Sequence, residues 1–236
     1  MSQPLSPQSG GTAIKTHHVR ITSIRRITHD VLRIEVEKPK GFSFIPGQAT
    51  EIAIDKKGWR KEKRPFTFTN LPHESCLQFT IKTYPAHHGV TNELLQLKRD
   101  DGLILHDVFG AIAYKHEGLF IAGGAGVTPF ISIFRYLRSI KKIGDNKLIF
   151  ANKTKDDIIL KTEFTQLLGK RFINILSAQH VKGYAHGFMT RQILKAHMPD
   201  IGKNIYVCGP PPMMDAVAGF LSDLHVNEKS IIKETV

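Results

Sequence analysis

The sequence predicts two domains: an N-terminal antiparallel β-barrel, then a C-terminal α/β unit built on a parallel sheet. Three observations lead there. The first half carries short alternating apolar segments bounded by Gly and Pro, the pattern of a small barrel. From Gly118 onward strand-like runs alternate with helical ones, which requires a parallel sheet covered on both faces. A length of 236 residues accommodates two ordinary domains. The expected division is a tail at 1–13, a barrel at 14–114 and an α/β domain at 115–236. The tail is rich in Ser, Pro, Gln and Gly and lacks the apolar core of a signal peptide.

In the barrel, 17–27 and 31–37 alternate polar and apolar residues, and Pro46-Gly47 leads into a run expected over 44–54. Strands follow at 66–69, 77–84 and 103–108, with one helix expected over 91–98 and opened by Thr91 as its cap. In the second half, strands are expected at 119–122, 147–152, 172–177 and 204–208. Helices are expected at 129–142, 161–168, 190–197 and 213–224.

The stretch from Gly118 to Ile133 organises this half. A buried strand stops at Gly123-Gly124-Ala125-Gly126, and Phe130, Ile133, Phe134, Leu137 and Ile140 then recur at helical spacing. Thr128 suits an N-cap and Pro129 the first helical position. A strand, a Gly-rich turn and a helix start present free N–H groups to a diphosphate, with Gly124 and Gly126 permitting a tight turn and close approach. The third glycine of the dinucleotide fingerprint is replaced by Pro129.

Composition narrows the function. Only Cys76 and Cys208 occur, which excludes a disulfide framework and a four-cysteine metal or iron–sulfur set, and suits a reducing, cytoplasmic setting. The histidines are scattered, so no metal site is expected. No apolar run approaches a membrane span. The formal charge of +12 predicts attraction to an acidic partner. The cations read as dispersed along the chain, without an aromatic-interleaved cluster, which disfavours nucleic acid.

Arg64-Pro65-Phe66-Thr67 sets an arginine, able to bond a phosphate, on a strand with an aromatic ring and a hydroxyl. The segment resembles the Arg-x-aromatic-Ser/Thr flavin motif of the ferredoxin–NADP reductase superfamily. Ile81-Lys82-Thr83-Tyr84 with His88-Gly89-Val90-Thr91 is similar to that family's second flavin segment. Phe44-Ile45-Pro46-Gly47-Gln48 is similar to the start of a barrel strand in the family, and Phe109-Gly110 to its closing turn. Cys208-Gly209-Pro210 is similar to its nicotinamide turn, and 148–160 to the NADH-dependent cytochrome and nitrate reductases.

The resemblance covers nearly all of 17–236 and implies FAD bound to the barrel, with NADH or NADPH as co-substrate. It implies that Arg64 pairs with the flavin pyrophosphate, that Phe66 packs along the flavin, and that Thr67 faces flavin N5. Pro65, Ile81, Lys82, Thr83, Gly89, Val90 and Thr91 would complete that site. Gly124, Gly126 and Thr128 would hold the nicotinamide nucleotide's pyrophosphate, and Gly209 and Pro210 would shape its turn. Cys208 would sit near nicotinamide C4, with Glu234 as the near-terminal glutamate. Many relatives end in an aromatic that covers the flavin; here Val236 stands in its place, so that face is either open or covered by another chain.

The function implied is hydride transfer from NAD(P)H to FAD, then single electrons to a separate acidic carrier: flavodoxin, ferredoxin or cytochrome. The alternatives are reduction of a quinone or ferric chelate, and a non-catalytic nucleotide-binding module on the same fold. A monomer or homodimer is expected. The residues after the strand at 147–152, and Ser177-Ala178-Gln179 after the next, do not decide between the nucleotides, and Asp156 and Asp157 read as an ordinary helix N-terminal pair.

Overall fold

The computed structural model describes residues 16–198 and 203–234. The expected tail at 1–13 and Val236 lie outside these residues.

The first sheet comprises β1 (His17–Thr28), β2 (Val31–Glu37), β3 (Ala49–Ile54), β4 (Arg64–Thr67), β5 (Cys76–Lys82) and β6 (Gly102–Phe109). The order is β4-β3-β6-β1-β2-β5, antiparallel throughout. The two edges meet through an antiparallel bridge between Phe68 and Phe79, which closes the barrel. Period-two alternation turns Val19 and Ile21 inward with Ile34, Val36, Ile52 and Leu105, while His18 and Arg20 face out. In this core Phe44 stacks on Phe68 with centroids 4.3 Å apart, and Phe79 meets Phe68 at a tilt with centroids 5.2 Å apart.

Two barrel expectations need correction. The run expected over 44–54 becomes a strand only at Ala49, because Gly47 has φ +101° and a Cβ there would collide with the Ile112 carbonyl. Its N–H donates instead to Ser132 Oγ of the second domain at 2.9 Å. The helix expected over 91–98 is one turn, α1 (Val90–Glu93), followed by a 3-10 turn at Leu94–Gln96. Gly89, rather than Thr91, stands at its cap, without a side-chain bond. The chain is extended by Leu97, since the Lys98 N–H is taken by the Asp101 carboxylate at 2.8 Å.

The second sheet holds β7 (Gly118–Gly123), β8 (Lys147–Asn152), β9 (Phe172–Leu176), β10 (Ala185–His186), β11 (Asn204–Cys208) and β12 (Ile231–Lys233). All pairs are parallel, in the order β10-β9-β8-β7-β11-β12. Alternation along β7 sends Phe120 and Ala122 to one face, with Phe130, Phe134 and Phe164 of α2 (Thr128–Ser139) and α3 (Lys161–Leu168). Leu119 and Ile121 go to the other, with Leu194 of α4 (Arg191–His197) and Val217 and Leu221 of α5 (Pro211–Asp223). Thr190 caps α4, accepting from the Ile193 N–H at 3.2 Å. Helix α5 starts two residues earlier than expected, because Pro211 occupies its first turn, where a missing N–H is harmless.

The segment between β6 and β7 is tied to the second sheet by Tyr206 of β11, whose side chain is fully buried. Its hydroxyl accepts from the Lys115 and His116 N–H groups at 2.9 and 3.1 Å and donates to the His116 carbonyl at 2.7 Å. Tyr206→Phe keeps the packing and strands these backbone groups. It should cost about 1–2 kcal/mol of unfolding free energy, a net loss expected for bonds of this kind. Urea denaturation of the two proteins checks this, and an unchanged midpoint would refute the anchoring role.

Candidate active site

In the second sheet the chain runs outward from β7 through β8 to β9, then returns to the other side of β7 as β11. Between β7 and β11 the order reverses, and in open parallel sheets ligands bind outside the strand ends at such a point. Those ends are Gly123-Gly124 and Cys208-Gly209. They open into a cleft of about 1180 Å³ whose opposite wall is the barrel strand β4. The volume exceeds the roughly 300–1,000 Å³ typical of a single small-ligand pocket.

The turn after β7 is packed backbone on backbone. A Cβ on Gly126 would collide with the Cys208 carbonyl and lie 2.6 Å from the Gly209 nitrogen. Met213 of α5 fills the space between Gly123 and Gly209, so neither can carry a side chain unless Met213 shifts. Gly124 differs, having φ +50° and open space where its Cβ would stand. Gly126 therefore lets the two strand ends close on each other, and it and Gly124 both line the cleft.

Thr128 is not an N-cap. The turn continues as a 3-10 segment (Gly124–Val127) directly into α2, and Thr128 is already helical. Its hydroxyl donates to the Ala125 carbonyl at 3.0 Å and lies 3.4 Å from the Thr67 hydroxyl of the barrel. Two hydroxyls predicted to serve different ligands thus meet across the domain seam.

Arg64, Pro65, Phe66 and Thr67 all line the cleft. The Arg64 guanidinium is exposed, donates once to the Lys63 carbonyl at 2.6 Å, and has Glu62 as a carboxylate only at 4.0 Å. Its remaining donors are free to hold an anion. Phe66 packs partly against the barrel core. Ile81, Lys82, Thr83 and Thr91 also line the cleft, whereas Gly89 and Val90 are not on its walls and Val90 is buried in the barrel core. The Thr83 hydroxyl donates to the Asp30 carbonyl at 2.9 Å.

Lys82 is already committed. Its ammonium lies 2.6 Å from Asp30 and 3.7 Å from Asp157, and His29 stands 3.6 Å from both carboxylates. His29, Asp30 and Asp157 could converge on a metal ion, but the lysine supplies the cation there. Asp157 is thus more than a surface helix-start residue. It is buried, forms a capping box with Thr154, and binds the α/β domain to the barrel. Although burial opposes ionisation most strongly, the Thr154 bonds with Lys82 and His29 hold its carboxyl below the usual range.

At the β11 end, burial first and Glu234 second push the Cys208 thiol up to about 12. Burial likewise raises the Glu234 carboxyl. Gly209, Pro210 and Glu234 all face the cleft, the last because β12 carries the chain back beside β11. Sequence reasoning missed further wall residues. Phe188 is 78% exposed at the rim, and the buried Asn152 at the end of β8 has an amide nitrogen without a partner. Nothing in the Gly187-Phe188 loop pattern signals the first, whereas the second follows from its place at a strand end beside the switch point.

Set against known proteins, residues 16–106 match the family model for an FAD-binding domain, and residues 120–219 that for an oxidoreductase NAD-binding domain. NADH-cytochrome b5 reductase 2 of Mycosarcoma maydis is 30% identical over 238 residues, covering 89% of this chain and 67% of that protein. The reductase component of propane 2-monooxygenase from Mycolicibacterium goodii is 29% identical, covering 90% and 65%. The chain thus spans about two thirds of the length of these relatives. The solved CS-b5R domains of human Ncb5or superpose with a TM-score of 0.82 at 25% identity, over 97% of this chain and 72% of that one. A flavin-type barrel wall and a nucleotide-type switch point facing one cleft, together with these likenesses, show that the chain belongs to the ferredoxin–NADP reductase superfamily, as an FAD-dependent NAD(P)H oxidoreductase.

Proposed function

We propose that the chain is a reductase taking hydride from NADH or NADPH and passing electrons singly to a separate one-electron carrier protein. The observation that carries this reading is the meeting of Thr67 and Thr128, 3.4 Å apart, on the lining of a cleft with one wall from each domain. The two cysteines of this sequence, Cys76 and Cys208, do not make a four-cysteine iron–sulfur set, so these residues do not themselves hold a one-electron centre of that kind. Relatives named as reductases of cytochrome b5 and as electron-transfer or reductase components of oxygenases support a protein acceptor.

The cleft fits FAD: an arginine with free donors, a half-buried aromatic ring and a hydroxyl stand side by side on β4. Bound there, FAD supplies the exchange between a two-electron donor and a one-electron acceptor. Arg64 would hold its pyrophosphate, Phe66 would flank it, and Thr67 would orient it through the hydroxyl. Pro65, Ile81, Thr83 and Thr91 would complete the wall, while Lys82 holds the domains together. On the facing side, the open space at Gly124 and the start of α2 would receive the nucleotide pyrophosphate. Cys208 stays a neutral thiol and acts by packing, with Glu234 able to hold a proton beside it.

The test is anaerobic. The flavin-loaded protein should be yellow and bleach on addition of NADH or NADPH, and a colourless protein that ignores added FAD would overturn the reading. Thr67→Val should retain flavin yet slow its reduction in stopped flow by at least about tenfold, less than the roughly hundred- to thousandfold loss when an oxyanion-hole donor is removed. An unchanged rate would remove Thr67 from the mechanism. The Cys208 thiol pKa of about 12 predicts resistance to alkylation. A raised pKa favours the protonated form over the whole range below it, so at pH 8 roughly one Cys208 in ten thousand is thiolate. Peptide mapping after iodoacetamide treatment should leave Cys208 unmodified in the folded protein and modified in urea.

A further inference from the structure

The ends of β8 and β9 are zipped together beside the cleft. The Ser177 N–H donates to the Asn152 carbonyl at 3.0 Å and the Ala178 N–H to the Lys153 carbonyl at 2.9 Å. The Lys155 N–H donates to the Gln179 amide oxygen at 2.9 Å. Asn152, Lys153 and Ser177 all line the cleft. What they offer is donors. The Lys153 ammonium is exposed, with no carboxylate within ion-pair distance among the described residues. Asn152 is 8% exposed, and its amide nitrogen has no partner. The Ser177 hydroxyl makes one long bond, 3.5 Å, to the Asn152 carbonyl. Among the described residues no carboxylate shares this part of the cleft. Asp30, Asp157 and Glu234 line it elsewhere. The first two pair with Lys82 and His29, and Glu234 follows β12, on the far side of β7 from β8 and β9. Asp156 is not on the cleft walls.

A free ribose 2′-OH in such a site is met by a carboxylate that accepts its proton, whereas a 2′-phosphate needs a cation and donors. We propose that the reductant is NADPH and that Lys153, Ser177 and Asn152 hold its 2′-phosphate, an inference that rests on the reductase reading above and names which nucleotide the site takes. Position agrees with chemistry. Neighbouring strands lie about 4.8 Å apart, so the ends of β8 and β9 stand roughly 5 and 10 Å from the end of β7. With the pyrophosphate at Gly124, the adenosine ribose joined to it reaches one to two strands outward, where the three residues stand. The ammonium supplies the charge, and the hydroxyl and amide supply direction. Because the three backbone and side-chain bonds between the two loops hold them in register, these donors are in place before the nucleotide arrives.

The test uses the full chain loaded with FAD, the variants K153A and S177D, and K155A as a control. Lys155 is exposed, is not on the cleft walls, and meets Gln179 through its backbone N–H. In anaerobic stopped flow NADPH should reduce the flavin at least about tenfold more efficiently than NADH, the margin that one hydrogen bond to a charged group supplies. K153A should lower that ratio about tenfold, S177D should invert it, and K155A should leave it as it is. Calorimetric titration with 2′,5′-ADP and 5′-AMP reads the 2′-phosphate without turnover. The wild type should bind 2′,5′-ADP at least about tenfold more tightly than 5′-AMP, and K153A should lose that advantage. Equal or better use of NADH by the wild type, no advantage for 2′,5′-ADP, or an unchanged ratio in K153A would overturn the assignment. In each of these cases the flavin still bleaches and the reductase reading stands. A flavin that neither nucleotide bleaches would remove that reading, and this inference with it.

Discussion

The site depends on one close contact, that of the Gly126 backbone on the Cys208 carbonyl and Gly209 nitrogen. It brings the turn after β7 against the end of β11, where the strand order of the sheet reverses. Side chains at either place would hold the two strand ends apart and shift the start of α2. Met213 fills the gap beside Gly123 and Gly209, and it lines the cleft together with them. Close packing of this kind has two discrete outcomes, fit or clash, and it fixes where a ligand can lie.

A second requirement is a fixed angle between the domains, and several unlike interactions share it. Ser132 accepts the Gly47 N–H from inside α2. Three residues further on, Arg135 forms two bonds to Glu163, at 2.7 and 2.8 Å, and reaches across to the Thr69 carbonyl and the Gln78 amide oxygen. On the far side of the seam Asp30, Lys82 and Asp157 pair. Val31 of the barrel and Ile112 of the connecting segment join the apolar core of the α/β domain. Helix α2 thus presents its start to the cleft and its next turns to the barrel, which couples ligand position to domain position through one rigid element.

Much of this was legible in the chain because it is local. The alternation in 31–37 and 147–152 reproduces the observed strands residue for residue, and Thr190 and Pro129 mark helix starts by their own chemistry. Arg64 to Thr67 and the glycines after β7 were visible for the same reason. What sequence reasoning missed is set by partners distant in the chain. Thr128 reads as a cap, but the 3-10 turn before it moves the helix start and frees its hydroxyl to face Thr67. Lys82 reads as a ligand contact and lines the cleft, but the ion pairs of its ammonium with Asp30 and Asp157 depend on residues far away in the chain. Gly126 reads as a glycine of the phosphate turn and does line the cleft, but the atoms that forbid a side chain there lie some eighty residues later.

The hold of Tyr206 on Lys115 and His116 bears on how such a protein can diversify. The connecting segment is tied to the second domain through the backbone of these two exposed residues and the buried Ile112 side chain, so the two halves are not beads on a string that recombination could separate cheaply. New modules are more readily appended at the chain ends, and new recognition more readily gained in surface loops of the barrel, than by exchange at the junction.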